Sequence, residues 1–199
     1  MTNIAPLDLI CHPATPAPVV RSIDVQVDLL PDGGIAFAYC LRGDMARLLI
    51  PVEPSPERAD LLWEHTCFEA FIGVQGETAY HEFNFSPSGQ WAAYAFSDYR
   101  QRVDVPPGGP APQITARLFA GRLELEASVT AAALPANPAN AAWQIGLAAV
   151  VEAADTVDGS HSYWALRHPA ARPDFHQRET FALELPCIVA GNDVDASNR

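Results

Sequence analysis

The stretch Thr66–Pro87, TCFEAFIGVQGETAYHEFNFSP, decides how this chain folds. Apolar and polar residues alternate through both of its halves, the period of side chains along an extended strand, and Gly76 stands between the halves where a turn is needed. Gly76-Glu77 is expected to form a two-residue loop with glycine first, a type II′ turn that pairs Gln75 with Thr78. Counting back from that turn sets Phe68 opposite Phe85, Ala70 opposite Phe83 and Ile72 opposite His81, so one surface of the hairpin is largely apolar and should cover a core. The other surface carries Cys67, Glu69 and Phe71 against Tyr80, Glu82 and Asn84, with Glu69 directly across from Asn84 and diagonal to Glu82.

That second surface is unusual for either of the two common environments. A water-facing sheet would be filled with Thr, Lys, Arg, Gln and Ser, and a fully buried one would exclude carboxylates, because burying an unpaired charge is very costly. Aromatic rings mixed with Glu69, Glu82 and Asn84 suit a partly enclosed groove, where rings supply apolar faces and polar groups make directed hydrogen bonds. Pairing of the two glutamates with arginines such as Arg42 or Arg100 is the competing reading of the same pattern.

Outward from the hairpin, helical periodicity is almost absent, and short apolar runs recur between Pro, Gly, Asp and Asn. Strands are expected at Leu7–Cys11, Val20–Leu29, Ile35–Leu41, Arg47–Ile50, Thr66–Val74 and Thr78–Phe85. Further strands are expected at Trp91–Phe96, Gln113–Phe119, Leu123–Thr130, Trp143–Ala153, Ser162–Ala165 and Thr180–Leu185. SPERADLLW suits one short helical turn, with Ser55 as N-cap and Pro56 at the first helical position. VDVPPGGPAP and LPANPANAA read as loops, and DTVDGS as an ordinary turn without the alternating ligands of a calcium loop. The expected fold class is all-β: one antiparallel β-sandwich domain over residues 1–190, followed by a disordered tail at 191–199.

The bulk properties narrow the partners. The chain has 199 residues, 49% of them hydrophobic, enough to bury one substantial core. Its 24 acidic residues against 12 basic ones leave a net charge of −12, a field that repels phosphate backbones, so nucleic acid is not an expected partner. The N-terminal MTNIAPLDLICHPATPAP lacks a basic segment followed by a sustained apolar one, and no apolar run reaches the roughly 18 residues of a membrane span. The expectation is a cytoplasmic protein that does not engage a membrane. Cys11, Cys40, Cys67 and Cys187 are far apart, with no spacing that nominates a zinc site, and the strand-like runs around Cys40 and Cys67 suggest small buried thiols rather than a disulfide.

Trp63 opens WEHTCFEAF, Trp91 opens WAAYAFSDYRQR, and Trp164 lies in SHSYWALRHPAARPDFH. Trp164 is the tryptophan expected to face a ligand, since polar residues surround it at the end of a short strand. His161, His168, Asp174 and His176 have gaps that match no compact metal motif, so no metal is expected, and a polar loop capping the groove is the better reading.

LWEHTCFEAFI, YHEFNFSPSGQWAAYAFSDYR and SYWALRHPAARPDFH together resemble the DOMON-like domains related to family-nine carbohydrate-binding modules. The resemblance covers about the middle third of the chain and a C-terminal segment, and implies a β-sandwich of jelly-roll type that binds sugars or, in some branches, haem. In its sugar-binding members, tryptophans clamp a sugar ring while carboxylate, amide and arginine groups bind its hydroxyls; Trp63, Glu69, Asn84 and Trp164, with Arg100, are similar to such a set. With Glu82 and His168 these form the expected ligand-binding residues, for a small polyhydroxylated ligand, a carbohydrate, bound without catalysis and without a required cofactor.

Two alternatives stay open. Haem would need axial ligands, for which Met45 and the six histidines are the candidates. A glycoside-active enzyme would use Glu69 and Glu82, which as diagonal neighbours would lie roughly 5.5–8 Å apart but on one wall.

Overall fold

The structure is a computed structural model that describes residues 5–53, 56–154 and 160–187. Its elements are β1 (Leu7–Cys11), β2 (Val20–Leu29), β3 (Ile35–Gly43), β4 (Leu48–Leu49), β5 (Cys67–Val74), β6 (Tyr80–Phe85) and β7 (Trp91–Asp98). They continue with β8 (Gln101–Val103), β9 (Gln113–Phe119), β10 (Arg122–Val129), β11 (Trp143–Ala153), β12 (His161–Ala165) and β13 (Leu183–Leu185). Helix is confined, among the described residues, to single 3₁₀ turns, and none is long and apolar enough to cross a membrane.

All pairings between strands are antiparallel, along the path β8-β7-β6-β5-β11-β12-β1-β2-β3-β10-β9, with β4 and β13 also on β11. The path doubles over at β1. Leu7 to Leu9 pair with β2, whereas Ile10 and Cys11 pair with β12, so one strand serves two layers and the result is a β-sandwich.

The layers meet through alternating side chains. In β2, Val20, Ile23, Val25, Val27 and Leu29 are buried, while Arg21, Asp24, Gln26 and Asp28 turn outward, as expected of a sheet with water on one side. Across from them stand Phe68, Ala70, Ile72, Phe83 and Phe85 of the hairpin β5–β6. Rings of the two layers touch, Phe37 against Phe85 with centroids 5.9 Å apart and Tyr39 against Phe68 at 4.9 Å. The Tyr39 hydroxyl crosses the interface to donate to the Glu69 carbonyl at 2.9 Å, which gives a buried phenol its partner.

In contrast with β2, every residue of β5 is buried. Its second face must therefore be covered too, and that face carries the candidate site.

The hairpin register agrees with the sequence reading: Phe68 pairs with Phe85, Glu69 with Asn84, Ala70 with Phe83 and Ile72 with His81. The turn itself differs. The Glu77 N–H donates to the Val74 carbonyl at 3.1 Å, and Gly76, at φ +87°, takes the second central position of that turn instead of the first. Only glycine adopts that conformation at little cost, so its place in the turn follows from the backbone rather than from the strand count.

Other differences are local. The strand expected at Arg47–Ile50 shrinks to β4, because Met45–Arg47 forms a 3₁₀ turn, and Arg178–Thr180 likewise precedes β13. The helical turn expected at Ser55-Pro56 is a 3₁₀ turn at Leu62–Glu64; Pro56 is outside it and Ser55 lies outside the described residues. The strand β8 was not expected, since its residues are exposed and show no apolar alternation. The tail at 191–199 and most of DTVDGS lie outside the described residues.

Candidate ligand-binding site

The register of the second layer propagates from strand to strand. Cys67 pairs with Val150 and Val150 with Tyr163; Glu82 pairs with Tyr94 and Tyr80 with Phe96. Because paired residues point to the same side of a sheet, these side chains share the face opposite the main core. There they form a second buried cluster, in which Cys67, Phe71, Tyr80, Tyr94, Phe96 and Val150 meet Leu62, Phe175 and Phe181 from outside the sheet.

Two glycines let the covering segment after β12 come close. A β-carbon on Gly146 would lie 2.9 Å from the Phe181 ring, and one on Gly73 would collide with the Arg178 guanidinium. Arg178 fixes this segment by donating to the Val74 carbonyl at 3.1 Å and the Gln144 side-chain oxygen at 2.7 Å, with Phe181 stacked against it at 4.8 Å.

The cover leaves a cavity of about 340 Å³, within the size range of small-molecule sites. Glu69 and Glu82 line it from the sheet, both 4% exposed. Trp63, Tyr94, Phe96, Tyr163 and Phe175 supply aromatic surface around them, and Trp63 meets Tyr94 edge-on at 6.0 Å. Arg100, Arg102, Asp174 and His176 complete its polar lining.

Each of these polar groups is held. Arg100 sits in the β7–β8 turn at φ +54°, a left-handed conformation that costs a non-glycine residue on the order of 1 kcal/mol. The turn is offset by contacts: its N–H donates to the Tyr80 hydroxyl at 3.2 Å and its guanidinium bonds Asp174 at 2.8 Å. Tyr99 also donates to Asp174, at 2.6 Å, and these bonds hold the Asp174 carboxyl below its ordinary range although burial opposes them. The Arg102 guanidinium lies 4.0 Å from the centre of the Tyr94 ring, a cation–π distance, and the Tyr94 hydroxyl donates to Asp60 at 2.7 Å.

Proton positions follow from this network. Since the Tyr80 oxygen accepts from Arg100, its hydrogen is free to be donated to His176 Nδ1, 2.8 Å away. Burial, together with the Arg100 charge, lowers the His176 pKa to about 4, so the ring is neutral near pH 7. Its proton is then on Nε2, which faces Glu82 at 3.8 Å.

Burial pushes both glutamates up from the ordinary carboxylate range, and Glu69 is raised further by the charge of Glu82. The Asn84 amide donates to Glu82 at 2.7 Å and opposes the rise there, as the Cys67 thiol does at Glu69 from 3.5 Å. Two carboxylates in one low-dielectric cavity do not readily ionise together, so the pair retains a proton towards neutral pH.

Of the seven expected ligand residues, Trp63, Glu69, Glu82 and Arg100 line the cavity. Asn84 is fully buried behind it, bonded to Glu82 through Nδ2 while Oδ1 has no partner among the described residues. Trp164 is elsewhere: it pairs with Ala149, which pairs with Phe68, and these residues share the main core, where Trp164 Nε1–H donates to Ser162 at 3.0 Å. The residue of this strand that lines the cavity is the neighbouring Tyr163, one residue and hence one face away. His168 is also outside the cavity lining, with Nε2 2.7 Å from the Ile10 carbonyl and its ring edge-on to His12. Neither arginine of the competing reading pairs directly with a glutamate: Arg42 pairs with Asp24 and Arg100 with Asp174, and only the Arg100 charge acts on the two glutamates from across the cavity.

Tyr94 and Phe96 were legible by carrying the register across the Ser86–Gln90 turn into β7, and Tyr163 by carrying it through β11. Arg102 depended on the unexpected β8, and Pro173 and Phe175 on how a loop folds back. Asp174 and His176, read from sequence only as part of a capping loop, do line the cavity. Met45, a candidate haem ligand, packs into the main core, and each of the six histidines has a hydrogen-bonding partner.

No protein-family model matches the chain, and no curated protein matches it. Two solved structures share its fold. A Bacteroides uniformis protein proposed to bind carbohydrate superposes with a TM-score of 0.63 at 13% identity, over 89% of this chain and 84% of that one. A family 9 carbohydrate-binding module from Caldicellulosiruptor kristjanssonii, in complex with glucose, superposes with a TM-score of 0.51 at 10% identity, over 95% of this chain and 88% of that one. The fold is thus like that of family 9 carbohydrate-binding modules.

Proposed function

We propose that this protein binds a small carbohydrate, without catalysis, in the cavity on the outer face of β5, β6 and β7. The observation that carries this reading is the composition of one enclosed space: two buried carboxylates facing several aromatic side chains. A sugar ring has apolar C–H faces that lie against aromatic rings and hydroxyls that donate to carboxylates, so both kinds of surface are used by one ligand. The likeness in fold to a module complexed with glucose supports the same ligand class.

Catalysis fits less well. Glycoside hydrolysis places two acids on opposite sides of the scissile bond, whereas Glu69 and Glu82 rise from adjacent strands of one wall. Calorimetry against a monosaccharide and glycan panel tests the proposal: saturable binding is expected, lost in Trp63→Ala with the thermal melt nearly unchanged. A panel without binding, or turnover of chromogenic glycosides abolished by Glu69→Gln, would sink it.

A further inference from the structure

Among the described residues, the glutamate pair has hydrogen-bonding partners but no arginine in ion-pairing contact: the Cys67 thiol bonds Glu69, and the Asn84 amide and the neutral His176 ring face Glu82, while the charges of Arg100 and Arg102 reach the pair only across the cavity. The two arginines of the cavity are engaged nearby, Arg100 with Asp174 and Arg102 against Tyr94. Buried carboxylates are ordinarily matched by a positive partner, because a partly compensated buried charge is costly. Here both are aimed into a cavity instead.

A neutral sugar would compensate them only in part. Its hydroxyls donate hydrogen bonds but leave in place the negative charge that the pair carries beside its shared proton. An ammonium group donates equally well and brings a positive charge into contact, and the ring of Tyr163 offers it the negative face that favours cations.

We propose that the preferred ligand is an amino sugar in its protonated form, with the ammonium seated over Glu69 and Glu82. This rests on the carbohydrate reading of the same cavity. On binding, the pair releases the proton it shares to the solvent, and the ammonium keeps all three of its own. The site then holds two carboxylates, one ammonium and no extra proton. The thiol of Cys67 and the phenol of Tyr163 are raised by burial and stay neutral, so they do not compete for the charge.

The test is calorimetry on the wild-type chain with glucosamine, glucose and N-acetylglucosamine, and with the corresponding galactose and mannose sets, near neutral pH. Two buffers of different ionisation enthalpy report proton release. In at least one set the amine should bind roughly tenfold tighter than its parent and its acetylated form, since a desolvated charge pair contributes that much. Its binding should also release a proton. Glu82→Gln and Glu69→Gln should each bring amine and parent towards equal affinity. If parent or acetylated sugars bind as tightly as every amine, or if the preference survives in both variants, the inference fails and the carbohydrate reading stands. If nothing in the nine-member panel binds, both fail.

Discussion

The two faces of β5 and β6 are equally hidden from water and chemically opposed. On the inner face, Phe68, Ala70, Ile72, Phe83 and Phe85 meet the other layer of the sandwich, whose strands offer a rigid, complementary surface. On the outer face, Glu69, Phe71, Tyr80 and Glu82 meet chain segments that carry little regular structure, held by Arg178 and two glycines, and these leave a hollow. Burial alone therefore does not separate a core from a site. What separates them is whether the covering element can interdigitate along the whole surface: a sheet can, whereas a loop fixed at a few points leaves unfilled volume. Carboxylates are tolerated only on the second kind of surface.

The sharpest way to break this comparison is to remove one ring from each face. Phe68→Ala should cost about 3–5 kcal/mol in urea denaturation, the usual loss for a fully buried phenylalanine in a packed core. A loss no larger than that of an outer-face truncation would erase the distinction. The cover is probed by Gly146→Ala, whose methyl group would press on Phe181; a loss of about 1–3 kcal/mol is expected, with sugar binding weakened by displacement of Phe175 and His176.

Proton linkage distinguishes the faces without disturbing packing. Glu69 and Glu82 have folded-state pKa values raised to about 8 and about 7, above those of the unfolded chain, so the folded protein binds more protons from the ordinary carboxylate range up to those values. Stability should fall as pH rises through that interval and level off above it. Glu69→Gln should flatten this fall, so that between pH 5 and pH 8 the variant loses less stability than the wild type, by on the order of 1–2 kcal/mol. A wild-type melt that rises over the same interval, with no change in slope in the variant, would contradict the assignment. His176 acts in the opposite sense: its pKa is lowered to about 4, so its contribution is lost as pH falls from the ordinary histidine range towards that value. The smallest effect on stability is expected from Trp63→Ala, within about 0.5 kcal/mol because the ring is 37% exposed, although it should remove ligand binding.

Strand positions, the β5–β6 register and the division of that hairpin into an apolar and a carboxylate-bearing face were legible because side chains alternate with a period of two. The same rule, extended through β11 to β12, places Trp164 in the core and Tyr163 at the cavity. Polar neighbours in the sequence suggested the reverse, since local composition carries no information about which face a residue occupies.

The sequence alone thus determined an all-β chain and put Glu69 and Glu82 on one sheet surface, because alternation is a property of the backbone and needs no partner. Tertiary structure alone decided that this surface is enclosed, that Asp174, Phe175 and His176 close over it, and that Arg100 turns to Asp174 rather than to the glutamates. Those contacts join segments roughly a hundred residues apart through loops without periodicity, and only the packing of the folded chain fixes where such loops lie.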